Sequence, residues 1–299
     1  MTLGARNNAA QRKTLAPGIE YAFAAMLFFG VGDLVYKRGA AAGAPAHQFM
    51  MVQTWFFIPS VILFGWVTGT LVWNAGAWWG ALAGVFIVTS YYNFAYCLKT
   101  GSVSVVAPVF RLSFALTAAL AVLLLGEPLT AFKLAGLALA LAAVWLLLGA
   151  PAAGDAAARR MSRALTLRLL VATTAAALAN FTYKLGLRAD STPATLLVTQ
   201  ACVAGVIATS FAARLDGAVR PVRAALRYAP VAAVVLATAF ILMIQGLRVG
   251  EASILVPVAQ MGFVVTALAG FVFLGESFNL RKGVGLLLAL AAMLSLAHG

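Results

Sequence analysis

The sequence predicts an all-α integral membrane protein: ten transmembrane helices forming two inverted five-helix repeats around a central cavity. Three observations carry this expectation. Of 299 residues, 63% are hydrophobic and only 10% charged, with a mean hydropathy of +0.98, whereas soluble domains are about a quarter charged. Long apolar runs recur along the whole chain. Gly101 to Leu148 lies over Gly250 to Ala297 at a constant shift of 149 residues without a gap, identical at 19 of 48 positions. The identities include Ser104/Ser253, Pro108/Pro257, Phe114/Phe263, Thr117/Thr266, Gly126/Gly275, Glu127/Glu276, Lys133/Lys282 and Gly136/Gly285.

The first apolar run is Ile19 to Tyr36. Arg6, Arg12 and Lys13 precede it, as in a signal peptide, but Asp33, Lys37 and Arg38 stand where a small-residue cleavage site belongs, so it reads as a retained helix. Phe49 to Val72 and Trp78 to Leu98 follow, with Trp73, Trp78 and Trp79 suited to a membrane–water interface. Val103 to Leu125 and Phe132 to Leu148 form the first copy of the matched block. The Pro/Gly/Ala-rich stretch Gly149 to Ala158 then separates five spans from five, placing the repeats at residues 1–150 and 151–299. Leu165 to Leu185, Pro193 to Phe211 and Ala229 to Leu247 continue the chain, and Ala252 to Leu274 and Gly283 to Ala297 close it as the second copy. Most runs approach the ~20 residues that cross about 30 Å of hydrocarbon. They do not alternate, which excludes a barrel, and lipid offers the backbone no partner, which demands helices. An odd number of spans per repeat makes the second copy enter the membrane in the opposite direction.

The net charge of +13 comes from cations in short connections and near helix ends, where anionic lipid headgroups lie. No basic-aromatic module accompanies it, so nucleic acid is not an expected partner. Connections 1–2, 3–4, 5–6, 7–8 and 9–10 carry roughly 13 Lys and Arg, against about 7 in the termini and other connections. That count favours both termini outside, although Arg159, Arg160, Arg163 and Arg168 also suit a surface-lying stretch. Cys97 and Cys202 fall inside spans as packing residues, and two histidines are too few for metal chemistry. No Walker loop, dinucleotide fingerprint, HExxH or GxSxG occurs. The chain is therefore expected to be no enzyme and to need no cofactor.

Polar groups inside spans are costly and mark a site. Ser104, Pro108 and Arg111 share one face of the fourth helix, as Ser253, Pro257 and Gln260 do on the ninth. Each proline removes an N–H and opens the helix locally. Arg111 presents a fixed fork for a carboxylate or phosphate, or else partners Asp33 or backbone carbonyls. Asp33 is the carboxylate well inside a span, beside Gly30 and Gly32; it suits a substrate ammonium or a coupling proton, or an ordinary helical pair with Lys37. Thr89, Tyr92, Asn93, Tyr96 and Lys99 make a polar-aromatic stripe on the third helix, suited to a cavity lining or to helix packing. At the repeat shift Thr89 and Tyr96 return as Thr238 and Gln245. Asn180 and Tyr183, followed by Lys184 and Gly186, echo Asp33 and Tyr36 at a shift of 147. Glu127 and Glu276 read as caps or as partners of Lys133 and Lys282.

The paired strings G-S-V-S-V-V-A-P-V (Gly101 to Val109) and G-E-A-S-I-L-V-P-V (Gly250 to Val258), each ending in an L-G-E triplet, resemble the two EamA-type repeats of the drug/metabolite transporter superfamily. Size, halves and aromatic content are similar to bacterial YddG-type exporters of aromatic amino acids. The resemblance implies a ten-helix basket around a cavity lined by helices one, three, four, six, eight and nine. It also implies cytoplasmic termini and export of amino acids or related metabolites; Arg111 matches no motif of the family. The expected protein is a monomeric exporter of the bacterial inner membrane working by alternating access, with lipids and a small-molecule substrate as its partners. Arg111, Asp33, Tyr92, Asn93, Tyr96, Asn180, Tyr183, Gln245 and Gln260 are its candidate substrate-binding residues. The alternatives are a broad-specificity drug or cation exporter and a non-transporting membrane scaffold.

Overall fold

In the computed structural model, residues 15–100, 103–148, 162–273 and 280–299 are described. The first repeat comprises α1 (Ile19–Ala41), α2 (Ala46–Val67), α3 (Ala77–Thr100), α4 (Val103–Leu125) and α5 (Ala131–Leu148). The second comprises α6 (Arg163–Arg188), α7 (Pro193–Asp216), α8 (Arg223–Val249), the pair α9 (Ala252–Ala259) and α10 (Gly262–Phe273), and α11 (Leu280–Ala297). Helix ends follow local chemistry. Ser162 and Thr192 accept from Leu165 N and Thr195 N to cap α6 and α7, and Pro193 opens α7 where its missing N–H costs nothing. Gly217, at φ 67°, ends α7 in the left-handed region that favours glycine.

Among the described residues, seven spans are both long and apolar enough to cross a bilayer, α9 and the start of α10 counting together as one. The outer faces of α2, α3 and α4 carry apolar side chains such as Trp66, Trp78 and Leu123 in the open, as lipid contact requires. The expected linker Gly149 to Ala158 lies outside the described residues, as do Arg159 and Arg160; Arg163 and Arg168 belong to α6.

The helix neighbours are related by a pseudo-twofold exchange of repeats. α1 packs on α8 as α6 packs on α3, α2 on α8 as α7 on α3, and α4 on α6 as α10 on α1; α2/α7, α4/α9 and α5/α11 pair across the axis. Individual hydrogen bonds repeat as well. Tyr36 donates to Gln53 and Tyr183 to Gln200, each 17 residues on. Thr266 Oγ1 donates to Gly30 O at 3.1 Å, and its equivalent Thr117 to Ala177 O at 3.3 Å. The two repeats thus share their packing contacts as well as their sequence.

The ninth span departs from the expected continuous helix. It breaks at Gln260 and Met261, where the ladder tightens: Met261 N donates to Val258 O at 3.1 Å and Val264 N to Met261 O at 2.9 Å. Pro257 has already removed one donor from α9. Gly262 then lets α10 press against α1, since a Cβ there would stand 2.8 Å from Gly30 N.

Candidate functional site

Asp33 on α1 and Arg111 on α4 meet beside this break. Arg111 Nη2 donates to Asp33 Oδ2 at 2.8 Å, and Nη1 approaches Gln260 O, the carbonyl terminating α9, at 3.4 Å. The guanidinium also lies over the Phe263 ring, 5.9 Å from its centroid. A cation at the C-terminal end of a half-helix is favoured by the dipole and by carbonyls with no helical partner. Although both groups sit deep among helices, their side chains remain 39% (Asp33) and 19% (Arg111) accessible. Part of their hydrogen-bonding capacity is therefore unspent.

The pair is set by the first repeat. Gly30 and Gly32 bring α1 against α10 and α8, because a Cβ at either would meet Gly262 O or Leu236 at 2.7 Å. One turn on, Tyr36 donates to Gln53 of α2 and its ring lies 4.5 Å from that of Phe49. Tyr91 of α3 stands within electrostatic reach of Asp33, Arg111, Tyr36 and Tyr183.

Of the sequence-predicted residues, Asp33, Arg111 and Gln260 come together, Gln260 through its carbonyl oxygen. Tyr92, Asn93 and Tyr96 have other contacts. Tyr92 packs on Phe211 of α7 at 4.5 Å, and Asn93 accepts from Arg168 while donating to Thr89 O. Tyr96 lies under the Arg168 guanidinium at 4.2 Å. Tyr92 and Asn93 line a separate cavity of about 210 Å³ between α2, α3 and α7, of which neither Asp33 nor Arg111 is a lining residue. Asn180 donates back to Ala176 O of its own helix. Tyr183 is wholly buried in a bond to Gln200, and Gln245 is half-buried on α8. The side chains of Lys99, Ser104 and Pro108 lie outside the described residues, as does Glu276.

Sequence reasoning missed Gln53, Gln200 and Tyr91. The glutamines were findable, since they recur at the same 147-residue shift as Tyr36 and Tyr183. Tyr91 was passed over because it lies one position, about 100° of helix, from the chosen stripe.

At the end of the fold where Ala16 N donates to Ala297 O at 2.9 Å, the helices are tied together. Glu127, after α4, receives Ala252 N at 2.9 Å and Ser253 N at 2.8 Å, so it caps α9 and does not pair with Lys133. Buried Lys133 instead pairs with Glu251 and donates to Pro128 O at 2.6 Å. Lys184 bridges α6 to Leu247 O and Gly250 O. At the opposite end, Asp216 of α7 accepts from Gln48 and bonds His47 of α2.

Both halves match one family model, that of the EamA-like transporter family, over residues 16–149 and 164–297. The chain belongs to the EamA-like transporter family. It is accordingly a multi-pass membrane transporter and not an enzyme. This EamA-like chain is also similar to a solved crystal structure described simply as that of a protein, with a TM-score of 0.76 and 16% identity. The likeness covers 94% of this chain and 97% of the other, and at that identity it speaks for the fold alone. No curated protein matches it.

Proposed function

We propose that this EamA-like protein exports zwitterionic amino acids, aromatic ones foremost, across a bacterial plasma membrane by alternating access, as a monomer. The Asp33–Arg111 pair carries the reading: an accessible ion pair at midspan, beside a broken helix. An α-amino acid bears an ammonium and a carboxylate on one carbon. Entering between the two side chains, it gives its carboxylate to Arg111 and its ammonium to Asp33, so no charge is left without a partner. An anion or a cation alone strands Asp33 or Arg111, which weakens its binding relative to a ligand that carries both charges. The two repeats then rock about this centre, opening it to either face in turn.

The test is flux into proteoliposomes. Arg111→Ala is expected to abolish uptake of a carboxylate substrate; unchanged transport removes Arg111 from the site. Retained efflux of organic cations by that variant, with loss in Asp33→Asn, would favour a cation exporter instead.

A further inference from the structure

α7 packs against both α2 and α3, which touch each other only lightly. The gap between the three is the cavity of about 210 Å³, with Met50 of α2, Thr89, Tyr92 and Asn93 of α3, and Ile207 and Phe211 of α7 among its lining residues. Its wall is mainly apolar. A cavity of about 150 Å³ already admits benzene, so this one has room for several methylene groups.

The cavity opens on the lipid side of α3. Trp78, Leu82, Val85, Thr89, Tyr92 and Tyr96 follow one another at alternating spacings of four and three, which puts them on one stripe of the helix. Trp78, Leu82, Val85 and Tyr96 are exposed, as a lipid-facing stripe must be, and Thr89 and Tyr92 interrupt them where the cavity lies. Tyr91, about 100° of helix from Tyr92, is the residue within electrostatic reach of Asp33. The recess therefore belongs to the outer wall and not to the transport site.

A cation stands at its rim. Arg168 of α6 donates to Asn93 Oδ1 at 3.3 Å and lies over the Tyr96 ring at 4.2 Å. Both partners are neutral, and among the described residues this half-buried guanidinium has no carboxylate partner. Asp216, the acid bonded to the lining residue His47, is engaged by His47 and Gln48. Arg168 is the sixth residue of α6, roughly 8 Å from the helix end, a depth from which a long side chain reaches the headgroup level.

We infer that the gap between α2, α3 and α7 binds an anionic phospholipid, one acyl chain filling the cavity and the phosphate meeting Arg168. A free anion gains nothing from an apolar recess, and an uncharged chain gains nothing from a guanidinium that lacks a carboxylate. A lipid with both parts uses both. Held there, it bridges the repeats, since α2 and α3 belong to the first and α7 to the second.

The experiment is native mass spectrometry of the purified full chain, titrated in detergent with dioleoyl phosphatidylglycerol, dioleoyl phosphatidylcholine and glycerophosphate. Wild-type protein is expected to bind one phosphatidylglycerol more tightly than phosphatidylcholine, and glycerophosphate, which has no chains, should not displace it. Arg168→Gln should lower the affinity for phosphatidylglycerol about fivefold and leave that for phosphatidylcholine unchanged, while Arg168→Lys keeps most of the preference. Thr89→Phe, which places a ring in the cavity, should weaken both lipids about tenfold. Should that variant not fold, Ile207→Phe takes its place with the same expectation. An unchanged headgroup preference in Arg168→Gln overturns the site, and so does unchanged affinity in the folded cavity variant. Displacement by glycerophosphate would reveal an anion site without a chain and overturn it as well.

Discussion

At midspan the first repeat carries Asp33 and Arg111, and the second carries Asn180 and Gln260 at the equivalent positions. Around them the two repeats share individual bonds: Tyr36–Gln53 with Tyr183–Gln200, and Thr117–Ala177 with Thr266–Gly30. Packing devices occur twice because each half must seal the same kind of helix crossing. Charge occurs once, because a second ion pair would add desolvation cost at the axis without adding a partner for the substrate. The halves also differ in how completely they are filled. Tyr183 is wholly buried against Phe240, whereas Tyr36 and Tyr91 are half-buried beside the accessible Asp33.

The largest expected effect comes from erasing that difference. Arg111→Gln or Asp33→Asn gives the first repeat the polarity of the second, and each should lower transport in proteoliposomes by about 100-fold. Each single change leaves one charge without its partner and should cost about 1–3 kcal/mol in thermal unfolding, a range kept low by the hydration of the pair. The double variant should recover part of that stability and none of the transport. Additive losses of stability would show that the two side chains do not act as a pair.

A smaller effect is expected at the end tied by Glu127. Glu127→Gln keeps one acceptor for the α9 amides but loses the charge-assisted second, about 1–2 kcal/mol of capping. That is enough to raise the open population of this end about tenfold. The labelling rate of Ser253→Cys, in a background lacking Cys97 and Cys202, should rise accordingly; an unchanged rate would deny Glu127 a part in closure.

The smallest effect separates filled from open packing. Tyr183→Phe strands the buried Gln200 carbonyl and should cost about 1–2 kcal/mol, while Tyr36→Phe, at a half-buried site, should cost under about 1 kcal/mol. Equal losses in thermal unfolding would remove the asymmetry between the repeats.

Much of the fold was legible because apolar runs and a duplicated block report directly on burial and topology. The 149-residue shift names the equivalent helices, and the odd number of spans fixes their opposed directions. Arg111 and Asp33 stood out since ionisable residues inside spans are rare. The face of α3 was not legible: Tyr91, Tyr92, Asn93 and Tyr96 are all polar-aromatic, and only the packing of α6 and α7 decides which of them turn away. Nor was the break at Gln260, which depends on the approach of Gly262 to Gly30 from a helix 232 residues away in sequence. Glu127 pointed to a cap, but its helix lies in the other repeat.

The central claim is that the Asp33–Arg111 pair receives a zwitterion. Titration calorimetry on the purified protein, with phenylalanine compared against phenethylamine and 3-phenylpropionate, tests it directly. The ring is common to all three, and only the charges differ. Binding by phenylalanine at least about tenfold tighter than by either singly charged analogue is the expected result. Equal binding of phenethylamine or 3-phenylpropionate would contradict it.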